Sequence, residues 1–215
     1  MEKPDFLKNA MRNLSIPVIT MEKYGFDCPG VDILFDYEKG GYMATRHLIE
    51  CGHRRIGCVA GKQSFHVTMQ RLNGYKKALE ESGISYDPDL VYFGDYTMES
   101  GYEAFSYILG QKVTAIFSMN DEMAFGIYRA ARLYGVSIPE DISIIGFDNV
   151  PFADVMQVPL TTIGVPVIEM GKKLGEKVVD LIDNKEKLKE REEILYTPRL
   201  LVRGSTKSIP PVTVI

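Results

Sequence analysis

Tryptophan is absent from the sequence, and cysteine and histidine occur only three times each. Cys28, Cys51 and Cys58 are odd in number and widely spaced, with no CxxC pair. They exclude a disulfide framework and a thiolate zinc site, and they fit a reducing compartment in which each thiol packs as a small hydrophobe. His47, His53 and His66 have no metal-ligand spacing, so no metal site is expected. Positive charge is also short: 25 Lys and Arg stand against 29 Asp and Glu, a net charge of -4. Such a chain has no basic field to hold a phosphate backbone, so any contact with nucleic acid must come from elsewhere. No run of about 18 apolar residues occurs, and the opening MEKPDFLKNAMRNLSIPVIT has no apolar signal core, so a cytoplasmic protein without membrane contact is expected. Finally, GxSxG, HExxH, a Walker loop and a GxGxxG turn after a strand are all missing. No catalytic residue, no cofactor and no enzyme are expected, although paired-carboxylate glycoside chemistry is not excluded by motif alone.

What is present is a sizeable core. Apolar residues make up 45% of 215, enough for one large domain or two lobes. From residue 55 onward, short apolar runs alternate with stretches of helical spacing, the pattern of βα units building a parallel sheet. Strands are expected over 55–60, 90–94, 114–118 and 142–146. Helices are expected over 68–82, 98–109 and 121–134, the first and last stopping at Gly83 and Gly135 as left-handed caps. Ahead of them the sequence predicts a short helix over 6–14, strands over 17–21 and 31–35, and a helix over 41–51. Behind them, Pro166 opens a helix whose apolar stripe is Val167, Gly171, Leu174, Val178 and Leu181 and which ends at Asn184. The charged run 185–193 reads as a solvated turn, residues 194–202 as one last strand, and 209–215 as a loose tail.

In open parallel sheets a ligand binds beyond the carboxyl ends of the strands. The residues there are Asp95 and Tyr96, Asn120 and Asp121, and Asp148 and Asn149, with Arg71 near the start of the 68–82 helix. Carboxylate, guanidinium and amide groups each reach two neighbouring hydroxyls, and Phe35 and Tyr96 offer rings for the apolar face of a sugar. Each residue has an ordinary alternative: Asn120 or Asp121 capping a helix, Arg71 pairing with a surface acid, Tyr96 in the core. Their common placement favours a neutral, polyhydroxylated small molecule, with a stacked nucleobase as the other ligand the rings would suit.

The strings HLIECGHRRIGCVAG, RLNGYKKALEESGI, GDYTMESGYEA, TAIFSMNDEMAFGIYRAARLYGVSIPEDISIIGFDN, PLTTIGVPVIEMG and LVRGST occur in the order typical of LacI/GalR-family repressors, and the sequence resembles that family from Ile16 to Thr206. The resemblance implies an α/β, two-lobed periplasmic-binding-protein-like type I fold with parallel sheets flanked by helices and an incomplete first lobe. It places residues 1–35 with 167–193 in the partial N-terminal lobe, 36–166 with 194–207 in the C-terminal lobe, and 208–215 in a tail. It also implies effector contacts at Arg71, Asn120 and Asp148, aromatic walls at Tyr96 and Phe35, and further contacts at Glu22 and Val167. Val165 departs from the family, which frequently has Gln there, so one hydrogen bond to the ligand is lost.

Family members also carry a helix-turn-helix head, a hinge and about two more βα units, roughly 60 residues at ~30 per unit. None of these is in this sequence, so DNA is expected to be a partner only through that missing head. The function expected is therefore the effector-binding core of a bacterial transcription regulator, a homodimer in its parent protein. Its effector is read as a sugar. The rivals are a purine-type effector and a transport-linked sugar-binding protein.

Overall fold

The computed structural model describes residues 18–21, 30–183 and 191–210. The helix expected over 6–14, Glu22, Cys28, residues 185–190 of the charged run and residues 211–215 of the tail lie outside the described residues. In chain order the elements are β1 (Val18–Thr20), β2 (Gly30–Phe35), α1 (Tyr37–Glu50), β3 (Ile56–Ala60), α2 (His66–Glu81), β4 (Val91–Phe93) and α3 (Met98–Gly110). They continue with β5 (Ala115–Ser118), α4 (Asp121–Tyr134), β6 (Ser143–Asp148), β7 (Thr161–Gly164), α5 (Val167–Asp183), β8 (Arg191–Tyr196) and β9 (Arg199–Leu201). The alternation gives an α/β fold with largely parallel sheets.

The chain divides into two compact units, residues 1–36 with 166–197 and residues 37–165 with 198–215. The first holds a parallel three-stranded sheet in the order β1-β2-β8. Asp32 is buried on β2 and accepts a hydrogen bond from Thr20 on the neighbouring strand. The helix α5 buries Met170 and Leu181, whereas Val167 is 60% exposed and Val178 is exposed as well. The stripe expected along this helix therefore holds at Leu181 but not at its start.

The second unit holds six strands in the order β4-β3-β5-β6-β7-β9, parallel except for the antiparallel pair β7–β9. Strands β3 and β5 are buried at every residue. Their Ile, Val, Phe and Ala content is that of strands covered by helices on both faces. The helix α4 starts where the Asn120 side chain accepts from the Met123 N–H at 2.9 Å and stops at Gly135, whose φ of 68° is left-handed. Two pairs of helices cross at glycines. A Cβ on Gly74 of α2 would land on the Glu38 carbonyl of α1, and one on Gly126 of α4 would land on the Met98 carbonyl of α3.

Several expected boundaries move. The helix placed over 41–51 begins at Tyr37, because Gly40 and Gly41 are internal positions whose missing side chains admit Phe147 and the Arg71 backbone. The 90–94 strand shrinks to β4 after a 3-10 turn, Pro88–Leu90, capped by Asp87. The helix expected over 68–82 begins two residues earlier, at His66. β7 was not foreseen. The single strand expected over 194–202 is two strands in two different sheets, broken at Thr197 and Pro198, so residues 194–197 join the first unit and not the second. A strand interior cannot keep Pro198, which has no N–H for the ladder.

The segment after β9 is pinned along its length. The Arg203 N–H donates to Thr161 Oγ1 at 2.9 Å, and Ser205 accepts from the Thr161 N–H at 2.8 Å while donating to the Ile144 carbonyl at 2.6 Å. His53, buried beneath it, lies 3.2 Å from the Lys207 carbonyl and 3.0 Å from Ser143 Oγ. The Ile209 N–H donates to the Cys51 carbonyl at 2.8 Å, so the expected loose tail is still held at its first residue. Among the described residues no helix is long and apolar enough to cross a membrane.

The glycine crossings make a paired prediction. Gly74→Ala is expected to destabilise the chain by about 3 kcal/mol, the upper end for overpacking, since backbone and not a movable side chain meets the new methyl. Gly110→Ala, at the open end of α3 with nothing within 4 Å, is expected to stabilise by about 0.5–1 kcal/mol. Urea unfolding midpoints of the two variants check both signs.

Candidate functional site

Arg71, the sixth residue of α2, is a buried cation of the second unit. Its side chain is 5% exposed. One terminal nitrogen donates to the Met119 carbonyl at the end of β5, and the other donates to Asp148 Oδ1 at 3.2 Å. The guanidinium carbon lies 3.8 Å from the centre of the Phe147 ring, 5.1 Å from that of Tyr37 and 5.8 Å from that of Tyr96. Planar guanidinium over aromatic faces is a favourable arrangement for a desolvated cation. Its Nε–H is buried with no hydrogen-bond partner among the described residues. An unmet buried donor costs about 1–3 kcal/mol, so this atom is where an acceptor from a ligand would gain most.

Asp148 closes β6 in an unusual backbone. Its φ is 110° and that of Asn149 is 61°, a left-handed pair of residues neither of which is glycine. Strained backbone of this kind persists only where its surroundings hold it. Three anchors do so. The Asp121 carboxylate, with no exposed surface, accepts from the Val150 N–H at 2.9 Å and from Thr162 Oγ1 at 2.6 Å. The Arg203 guanidinium donates to Asn149 Oδ1 at 2.7 Å and to the Leu160 carbonyl at 2.7 Å. The Asp148 carbonyl accepts from the Val165 N–H at 3.3 Å. Burial pushes the Asp121 carboxyl up to about 6, against the lowering effect of its donors. Burial likewise raises Asp148, and the Arg71 guanidinium opposes that rise.

Tyr96, at the end of the β4 segment, is also left-handed with φ 73°. Its ring covers Gly61, where a Cβ would collide with it, and its hydroxyl lies 2.7 Å from Thr68 Oγ1 on α2. Asn120 donates from Nδ2 to the Tyr96 carbonyl at 2.9 Å while capping α4 with its oxygen. The capping role considered for Asn120 in the sequence is therefore real. It leaves one amide N–H of the two for any ligand.

Of the residues singled out in the sequence, Arg71, Tyr96, Asn120 and Asp148 come together at the carboxyl ends of the second unit's strands. Phe35, buried at the end of β2, and Val167, exposed at the start of α5, belong to the first unit. Asp95 does not join the cluster: it accepts from the Thr97 N–H and hydroxyl, which turns the chain into α3. The sequence reading missed Tyr37 and Phe147, which flank the guanidinium. The strand-end rule reaches Tyr37, two residues past β2, but Phe147 looked like a core strand residue and is one. A separate groove, lined among others by Phe125, Tyr128, Phe152 and Met156, holds none of these residues.

Comparison with known proteins places this geometry in context. The family described as the periplasmic binding protein-like domain matches residues 45–206. The chain is 36% identical over 208 residues to the HTH-type transcriptional repressor PurR of Photobacterium profundum, covering 95% of this chain and 61% of that protein. The chain thus spans about three fifths of the length of such curated relatives. Among solved structures, a LacI family transcriptional regulator from Enterococcus faecium with bound ribose superposes with a TM-score of 0.86 at 31% identity, covering 97% of this chain and 77% of that one. The transcriptional regulator CelR in complex with cellobiose superposes with a TM-score of 0.78 at 32% identity, covering 88% and 58%.

The Asp121 anchor generates a prediction with a defined pH dependence. Its folded-state value of about 6 lies above the ordinary carboxylate value of about 4. Proton uptake therefore favours the folded state, a contribution absent above pH 7 that grows as pH falls through 6 toward 4. Asp121→Asn sets an amide N–H against one of the donors now satisfied, and is expected to destabilise by about 1–3 kcal/mol at pH 7.5. Urea unfolding of both proteins at pH 7.5 and 5.0 should show the wild-type advantage widening by about 1 kcal/mol at the lower pH. A gap that stays the same at both pH values would show that Asp121 is an ordinary low-value carboxylate.

Proposed function

Because the chain belongs to the LacI family of transcription regulators and carries their periplasmic binding protein-like domain, we propose that it is the effector-binding core of such a regulator. The effector is a neutral sugar, held at Arg71, Asp148 and Asn120 beside the Tyr96 ring. The observation that carries this reading is the ion pair of buried Arg71 with half-buried Asp148, together with the unmet Nε–H. The pair sums to zero charge, so the site needs no counter-charge from a ligand and its dipole suits a neutral polar one, whereas an anionic ligand would face the carboxylate as well as the guanidinium. Of the five N–H groups on the guanidinium, two are engaged within the chain, and a carboxylate has further lone pairs to accept hydroxyls. Adjacent hydroxyls on a ring can use both. The ribose and cellobiose bound by the structural neighbours support the same class of ligand. Phe35, Glu22 and Val167 are proposed as further contacts on family resemblance alone.

In the whole regulator, effector binding shifts a two-state equilibrium that a helix-turn-helix head reads out as operator affinity, and the parent protein works as a cytoplasmic homodimer. The domain binds its effector without turning it over. A purine-type effector is the second reading, favoured by the part-exposed rings of Tyr37 and Tyr96 beside the guanidinium, since any base has a face to stack.

The test is thermal denaturation of this chain with monosaccharides, disaccharides, sugar phosphates and purines. A neutral sugar at about 100 times its Kd is expected to stabilise by about 2.7 kcal/mol, and Arg71→Ala is expected to abolish the shift. A shift given only by phosphorylated sugars, or one kept in Arg71→Ala, would refute the assignment.

A further inference from the structure

The turn that carries Asp148 is fastened by the chain on either side of its passage through the first unit. The chain enters that unit after Val165 and comes back to the second at Pro198. Just before it goes, the Val165 N–H donates to the Asp148 carbonyl at 3.3 Å. Just after it comes back, β9 pairs with β7, with Arg199 opposite Gly164, and Arg203 follows in the next few residues. Both passages open on a proline, Pro166 and Pro198, whose fixed φ stiffens the step.

Arg203 spans the loop that this turn opens. Its two terminal nitrogens donate to Asn149 Oδ1, at the start of the stretch 149–160, and to the Leu160 carbonyl, at its end, each at 2.7 Å. Only a planar fork makes both bonds at once. The residue gripped at the start is informative. At a φ of 61° glycine is the least strained choice. The chain has asparagine there instead, with its oxygen engaged by Arg203. Position 149 therefore carries a link where it could have carried freedom, and the link fixes the residue next to Asp148. We propose that Arg203 is a positioning residue for effector recognition: by gripping Asn149 it sets the turn that presents Asp148, and so ties effector affinity to the returning segment without touching the ligand. This rests on the effector reading above and adds to it the control of one of its contacts.

Two measurements on the full chain test it. Arg203 is half-buried and Asn149 exposed, so the variants are expected to fold. The first needs no ligand: hydrogen exchange of the Val150 and Val165 amides, which bond Asp121 and the Asp148 carbonyl. In Arg203→Ala both are expected to exchange at least about fivefold faster, with the amides of β3 unchanged. The second is titration calorimetry with D-ribose and cellobiose, in which Arg203→Ala is expected to weaken binding by about fivefold. Asn149→Gly should weaken it as much, and adding Arg203→Ala to it should cost less than about twofold more, because the link is already cut. Asn149→Asp keeps the acceptor and tolerates left-handed backbone, so it should restore the parental affinity. Parental exchange at both amides in Arg203→Ala, or a loss of protection shared equally by β3, would overturn the positioning role. So would parental affinity in Arg203→Ala, or losses that add in the double variant. Arg71→Ala separates this from the effector reading. If it abolishes sugar binding while Arg203→Ala binds as the parent does, only the positioning role falls. If the parent chain binds neither sugar, or Arg71→Ala binds as well as the parent, the effector reading falls and takes the proposal with it.

Discussion

Burying one guanidinium sets most of the requirements that the second unit meets. A lone ion taken out of water is costly by several kcal/mol or more, and it persists only with a counter-charge and with hydrogen bonds for its donors. Asp148 supplies the first, the Met119 carbonyl part of the second, and the guanidinium carbon lies over the Phe147 ring, 3.8 Å from its centre. Asp148 supplies it from a left-handed backbone, a strained conformation that its surroundings have to hold. Asp121 and Arg203 hold it, one from the start of α4 and one from the segment after β9. A chain of dependence therefore runs from Arg71 to residues more than a hundred positions away in sequence.

The same logic explains the close helix crossing behind the site. Arg71 lies on α2, and α2 meets α1 where Gly41 leaves room for the Arg71 backbone and Gly74 for the Glu38 carbonyl. A side chain at either glycine would push the helix outward and take the guanidinium with it. Ser205, Thr206 and Lys207 tie the strands beneath in a similar way: Ser205 joins β6 to β7, Thr206 reaches His47 on α1, and the Lys207 carbonyl lies within reach of buried His53. The LVRGST string is thus a fastening for the sheet that carries Asp148, with Arg203 its direct link to the turn.

How much of this could be read from the sequence follows from how local each signal is. The parallel strands β3, β5 and β6 were legible because burial on both faces demands unbroken runs of Ile, Val, Phe and Ala. The limits of α4 were legible because Asn120 and Gly135 act within one turn of the helix. The strand β7 was not, since Thr161 and Thr162 read as polar and yet are buried, their hydroxyls engaged by the Arg203 N–H, Thr206 and Asp121. The division of the last strand was signalled by Pro198, but the preceding and following residues share one strand-like composition. At the site, the strand-end rule found Tyr96, Asn120 and Asp148 and also selected Asp95, whose spacing to Thr97 marks a local turn. The ring of Phe147 against Arg71 joins positions 76 apart in the chain and leaves no local trace.

A site built in this way has a consequence for how binding is transmitted. The Nε of Arg71 is the one fully buried side-chain nitrogen or oxygen without a partner among the described residues, and the groups around it are already linked: the guanidinium to Met119 and Asp148, Asn120 to Met123 and to Tyr96, the turn after Asp148 to the Asp121 and Arg203 anchors. A ligand acceptor that satisfies Nε–H strengthens the state in which Arg71, Asp148 and the turn are all in place. By linkage, anything that favours that arrangement also raises ligand affinity by the same factor. The residues through which occupancy would be felt include Asp121, Asn149 and Arg203, none of which needs to touch the ligand. Their contribution would appear as a change in coupling and in stability, while the contacts proposed for the ligand are those of Arg71, Asp148 and the rings around them.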